Sequence, residues 1–104
     1  MMVFEVATFD IKSGSEEDFE AGVAKASPIF ARAKGYKSLH LERSIEKPSR
    51  YRLIVGWNTV EDHTVSFRNS CDFKVWRSLV GDTFAADPAV EHTSVVLTGV
   101  DADA

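Results

Sequence analysis

Residues 51–80, YRLIVGWNTVEDHTVSFRNSCDFKVWRSLV, constrain the fold more than any other segment of the chain. The run 51–57 is short, apolar and rich in β-favouring side chains, as a strand buried in a sheet reads. It stops at Trp57, and Thr59 with Asp62 three positions on has the spacing of a capping box, so a helix starts within two residues of the strand's end. Ser70 and Asp72 form a second start signal. The spacing therefore predicts two helical pieces, 60–69 and 72–80, with Gly81 closing the second.

The flanking segments supply the partners such a strand needs. Residues 3–11 alternate, with Val3, Glu5, Ala7, Phe9 and Ile11 on one face and Phe4, Val6, Thr8 and Asp10 on the other. Apolar groups on both faces suggest a strand buried from two sides. Lys12, Ser13 and Gly14 break it, and Ser15 with Asp18 resembles a capping box in front of a helix that carries Phe19, Val23, Ala26, Ile29, Phe30 and Ala33 at helical spacing. Glu16, Glu17 and Asp18 suit the positive end of its dipole. Pro28 is expected to kink or split this helix, and Lys34 with Gly35 to end it. A second strand, 36–45, sets Leu39, Leu41 and Ile45 against a polar face of Ser38, His40, Glu42 and Ser44. Residues 46–50 contain Pro48 and read as a turn, making 36–45 and 51–57 a hairpin. A last strand is expected over 90–100, followed by a polar tail, 101–104.

The order strand, helix, strand, strand, helix, strand is the ferredoxin-like βαββαβ arrangement: an α+β fold with a four-stranded antiparallel sheet and helices on one face. One domain over residues 1–104, with an ordered core from about 3 to 100, accommodates it. The other sheet face then needs cover, because Val3, Phe9, Tyr51, Leu53 and Val55 would otherwise leave a large apolar patch in water. Face-to-face homodimerisation is the simplest cover.

Charge and cysteine content narrow the partners. A net charge of −4 with no run of Lys or Arg gives no nucleic-acid footprint and no attraction to an acidic lipid surface. Cys71 is the single cysteine, so no intramolecular disulfide forms and a reducing, cytoplasmic setting is expected. No segment has the pattern of a signal peptide or the apolar length of a membrane span.

The order of elements and the segment VGWNTVEDHTVSFRNSCDFKVWRSLV resemble the antibiotic biosynthesis monooxygenase family, over residues 3–100. A strand ending in Trp, an acidic first helical turn with a His, and a later Phe and Trp recur there as Trp57, Glu61, Asp62, His63, Phe73 and Trp76 do here. The resemblance implies a dimeric α/β barrel. It also implies, for some members, cofactor-free oxygenation of phenolic or quinol substrates. The haem-degrading branch is similar in fold but carries Asn, Trp and a haem-ligating His at the positions held here by Ala7, Phe67 and Arg77. Those departures argue against haem cleavage.

His63 follows Thr59 by four positions and shares a helix side with Val60 and Phe67, which places it inward or at a pocket rim. An imidazole with an ordinary pKa of about 6.5 suits deprotonation of a phenol or hydroquinone near neutral pH. It could equally be a semi-buried His bonded to Asp62 or Glu61 without a chemical role. His40 either orients a ligand from the polar face of its strand or meets Arg52 in a cross-strand charge set with Glu42. Trp57, Phe67 and Trp76 could wall an aromatic pocket or be plain core. Arg68 and Arg77 could clamp a substrate oxygen or carboxylate, or lie on the surface. His92 opens the last strand. His40, His63 and His92 come from separate elements without ligand spacing, and no metal site or other cofactor is expected. The first functional expectation is thus a cofactor-independent monooxygenase of a small aromatic or quinol-type molecule, with His63 as base and Trp57, Phe67, Trp76, His40 and Arg68 as substrate-binding groups. The alternative is a non-catalytic dimeric barrel that binds a small hydrophobic ligand or a protein partner.

Overall fold

Two-residue alternation along the first strand decides which sheet face becomes the core. The computed structural model describes residues 2–102. In it β1 (Val3–Asp10) is followed by α1 (Glu16–Ala31), β2 (Tyr36–Arg43) and β3 (Arg50–Trp57). A π-helical turn (Asp62–Phe67), α2 (Cys71–Val80), a short 3-10 turn (Gly81–Thr83) and β4 (Ala89–Thr93) complete the order. The four strands form one sheet in the order β2-β3-β1-β4, and every neighbouring pair is antiparallel. This is the ferredoxin-like α+β arrangement that the pattern predicts.

The helix-facing side carries Ala7 and Phe9 from β1 and Tyr51, Leu53, Val55 and Trp57 from β3, all buried with Phe19, Val23, Ala26 and Phe30 of α1 and Trp76 and Val80 of α2. This corrects one expectation. Phe9, Tyr51, Leu53 and Val55 do not need a partner to cover them, because α1 and α2 already do. The uncovered face bears the alternate residues, among them half-buried Phe4, Val6 and Ile54 beside exposed His40, Glu42 and Arg52.

Local signals hold in part. Ser70 caps α2 by accepting from the Phe73 amide at 3.2 Å, and Thr59 Oγ1 accepts from the Asp62 amide at 3.1 Å. At α1, however, Ser15 makes no side-chain cap bond. Glu16 instead accepts from the Gly14 amide at 2.8 Å and the Ser49 hydroxyl at 2.6 Å, which ties the helix start to the β2–β3 turn. Pro28 neither ends nor divides α1, which runs unbroken through it, since packing of Phe19, Val23, Ala26 and Phe30 outweighs one missing backbone bond.

Two strands are shorter than expected. β2 ends at Arg43, leaving Ile45 exposed in the turn. β4 stops at Thr93, rather than running to residue 100, for a reason visible in the register: Thr93 pairs with Phe4, and the strand β1 itself reaches only one residue further, to Val3. The following segment, 94–102, has no regular structure, with Val96, Leu97 and Val100 respectively 96%, 84% and 100% exposed. Residues 103–104 of the anticipated tail lie outside the described residues.

The helices cross closely at Gly22, where an added Cβ would lie 2.6 Å from the Leu79 carbonyl oxygen and 2.8 Å from Val80 Cγ1. A backbone oxygen cannot turn aside as a side chain can. Gly22→Ala is therefore expected to destabilise the fold by about 1–3 kcal/mol despite the better helix propensity of Ala. Chemical denaturation would measure it, and an unchanged or raised midpoint would refute the tight crossing.

Candidate functional site

The hand-over from β3 to helix places the site. After Trp57, the chain makes one helical turn and then widens: the Arg68 amide donates to the His63 carbonyl at 3.0 Å, a five-residue step that defines the π turn. Such widened turns are frequent at functional positions. Here the turn is led by two buried polar residues, Asp62 and His63, and closed by buried Phe67. Asp62 fits because Gly35, at φ +79°, has no Cβ to occupy the space its carboxylate fills.

A cavity of about 360 Å³ opens between β1, β4, the π turn and α2. Glu5, Ala7 and Phe9 form its floor, and His63, Phe67, Phe73 and Trp76 supply aromatic walls. Arg68, Arg77, Pro88 and Val90 complete the lining. Pockets of this size and composition hold small ring compounds.

At the floor lies a chain of polar groups inside an otherwise apolar core. Glu5 is 5% exposed and His63 3%. Glu5 Oε1 accepts from Trp57 Nε1 at 3.1 Å and lies 3.3 Å from His63 Nε2. His63 Nδ1 is 2.8 Å from His92 Nε2. The His63 ring stacks on Trp57, with centroids 5.7 Å apart and planes 20° from parallel. Both imidazole nitrogens are thus engaged.

The Glu5–His63 contact has ion-pair geometry, yet burial opposes the charged form of each partner. Burial pushes the Glu5 carboxyl up from its ordinary 4.5 to about 7, against the opposing pull of the Trp57 hydrogen bond and of Arg68. Burial, reinforced by the positive charge of Arg68 and by His92, brings His63 down to about 4. His92 is also lowered, by burial and then Arg68. Near neutrality the pair is a carboxyl poised to titrate beside a neutral imidazole. With Trp57 donating to Oε1 and His63 lying against the same oxygen, the Glu5 proton belongs on Oε2. Among the described residues Oε2 accepts no hydrogen bond and no fully buried side-chain polar atom lacks a partner, and Glu5 is part of the cavity lining.

The structure brings together five of the candidate residues weighed from sequence: His63, Phe67, Arg68, Trp76 and Arg77. Trp57 is not a wall. Its indole is fully buried beneath the site, with its N–H committed to Glu5. His40 lies on the opposite face of the sheet, because Leu39 and Leu41 take the helix-facing positions of β2, and it meets Glu42 at 3.2 Å. Two residues carry more than the sequence assigned them. Glu5 stood in plain view as the only charged residue on the inward face of β1, and His92 lies directly across from it in the β1–β4 register.

Comparison with known proteins agrees with this architecture. The family described as antibiotic biosynthesis monooxygenase matches residues 2–79. The chain belongs to that family. A Bordetella bronchiseptica structure carrying the same family name is 52% identical, with a TM-score of 0.91 over 92% of this chain and 98% of that one. An uncharacterized protein of Bacillus subtilis, YczJ, is 40% identical over 91 residues, 88% of this chain and 96% of its own. SnoaB, a cofactor-independent oxygenase from Streptomyces nogalater, shares the fold at 20% identity, with a TM-score of 0.77 over 93% of this chain and 95% of its own. Among the described residues no helix is long and apolar enough to cross a membrane.

Titration of Glu5 has a measurable signature. Between its ordinary and raised pKa the folded state keeps a proton that the unfolded chain has released, so wild-type stability falls, relative to a neutral isostere, as pH rises. Glu5→Gln retains the acceptor for Trp57. Its stability relative to wild type is expected to rise from pH 4.5 to about 7 and then level off, the whole gain amounting to about 3 kcal/mol. Urea denaturation at a series of pH values would read it, and a difference independent of pH would mean that Glu5 titrates normally.

Proposed function

We propose that this family member is a cofactor-independent monooxygenase of a small phenolic or quinol-type substrate. The observation that carries the reading is the Glu5 carboxyl, raised to about 7, on the floor of an aromatic-walled cavity with His63 and His92 bonded in line behind it. The name of SnoaB adds that this fold supports oxygenation without a cofactor.

His63 belongs to the base, but through Glu5. Both its nitrogens are engaged and its lowered pKa makes it a weak base, whereas Glu5, in the lining of the cavity, has a pKa suited to exchanging a proton near neutrality. His63, braced by His92, holds the carboxylate in position from behind. A phenol that yields its proton to Oε2 becomes an electron-rich anion able to pass an electron to dioxygen. Recombination forms a carbon–oxygen bond, the ring carbon loses its hydrogen, and the peroxide O–O bond breaks. One oxygen atom remains as a quinone carbonyl and the other leaves as water, with the substrate supplying the electrons. Phe67, Phe73 and Trp76 hold the ring and keep water from the peroxide.

The same reading includes a homodimer. Val96, Leu97 and Val100, just after the edge strand β4, are apolar and exposed, and they pair with no strand among the described residues. The half-buried Phe4, Val6 and Ile54 on the open sheet face offer a second surface of the same kind. A second copy satisfies both, and the single exposed Cys71 suits a reducing cytoplasm.

Oxygen uptake with a panel of phenols, naphthols and hydroquinones tests the chemistry. Glu5→Gln is expected to slow turnover by about 100-fold or more and His63→Ala by a similar factor. Unchanged rates in both variants, or ring binding with no oxygen uptake by wild type, would favour a ligand-binding barrel instead. For the assembly, sedimentation at micromolar protein is expected to show a dimer that Val96→Asp with Leu97→Asp converts to monomer; a wild-type monomer would remove it.

A further inference from the structure

We infer that the ligand of this cavity is an aromatic anion, a ring bearing a carboxylate or an equivalent ionised group, whose charge is taken by Arg68 and Arg77 while the ring lies against Phe67, Phe73 and Trp76. The inference rests on the aromatic-pocket reading above and specifies its substrate class. It starts from the use of arginine across the molecule. The chain carries a net charge of −4 and carboxylates are plentiful, so arginines readily find partners. Arg32 pairs with Asp72 at 2.7 Å, Arg43 with Glu20 at 3.5 Å and Arg50 with Asp10 at 2.8 Å; Arg52 makes no ion pair among the described residues but lies on the far sheet face opposite Glu42, away from the cavity. Arg68 and Arg77 have no ion-pair partner among the described residues, and both line the ring-walled cavity.

Their surroundings explain why they remain free. Arg77 is held by rings instead of a carboxylate: its guanidinium lies 5.4 Å from the Phe84 centroid and 6.0 Å from that of Phe73. Stacking fixes the plane of a guanidinium while leaving its N–H groups available. Arg68 is brought to the cavity by the five-residue step of the π turn, one residue after Phe67. Both side chains are exposed, so they stand at the mouth while Glu5 and His63 are sunk at the floor. The only carboxyl in the lining is Glu5, already committed to Trp57 and His63. A ligand with a cationic group would meet two like charges, and a neutral ring would leave both unpaired. An anionic ring answers the two guanidiniums at one end and offers its far edge to Glu5 at the other. The anion also offsets the positive charge that Arg68 exerts on His63 and His92, so the substrate itself makes the floor more basic.

Calorimetric titration of the full chain with 2-naphthoate and its neutral isostere 2-naphthamide, at about pH 8 and low salt, separates charge from ring. Naphthoate is expected to bind at least about tenfold more tightly. Arg68→Gln and Arg77→Gln should each lower naphthoate affinity by about tenfold and leave naphthamide unchanged, while Arg68→Lys, which keeps charge but not the planar fork, falls between. Equal affinity for the two compounds, or a parallel loss of both in the Gln variants, would overturn the anion assignment while leaving the aromatic pocket standing. Failure of wild type to bind either would overturn both. Oxygen uptake plays no part in this readout, so the proposed chemistry stands or falls separately.

Discussion

One hydrogen bond, from the Trp57 indole to Glu5, joins everything that makes this molecule more than a covered sheet. A carboxyl on the inward face of a central strand is a liability, since burial without partners costs several kcal/mol. Trp57 reduces that cost from the next strand, and because the indole is fully buried it cannot move away. The same indole supports the His63 ring by stacking, so a single side chain sets the positions of both members of the pair. The last residue of β3 thereby determines what the first turn after it can present.

Much of the fold was legible because its signals are local and redundant. Alternation in β1, the apolar run ending at Trp57 and the Ser70 restart each arise from a few adjacent residues, and their order leaves one economical topology. Pro28 and Ser15 misled because tertiary contacts overrode local preference: α1 is held by its buried stripe, and Glu16 replaces the hydroxyl cap. The end of β4 was illegible for another reason. Residues 94–100 have strand-forming composition, but a strand exists only where a partner's backbone is present, and pairing is a property of register rather than composition.

The site was half legible. His63 and Phe67 follow helical spacing, and Arg68 and Trp76 lie in the same helical region, so they could be grouped from sequence, while Glu5 and His92 come from strands nearly ninety residues apart and meet only through the β1–β4 register. A charged residue on an otherwise apolar strand face was the available clue to Glu5. His40 shows the converse error: a polar strand face drew attention to chemistry, yet that face is simply the one turned away from the helices.

The π turn carries a consequence of its own. An α-helix advances 100° per residue, so a turn that holds one residue more than its neighbours is in effect an insertion stored inside a helix. If 62–67 took regular α geometry with all its residues kept, everything before it would be rotated by more than a quarter turn against everything after it, and two residues five apart would lie about 140° apart around the axis. His63 and Arg68 would part company, one of them leaving the cavity. Helical regularity and the present grouping of side chains are therefore alternatives in this segment, and the chain keeps the grouping.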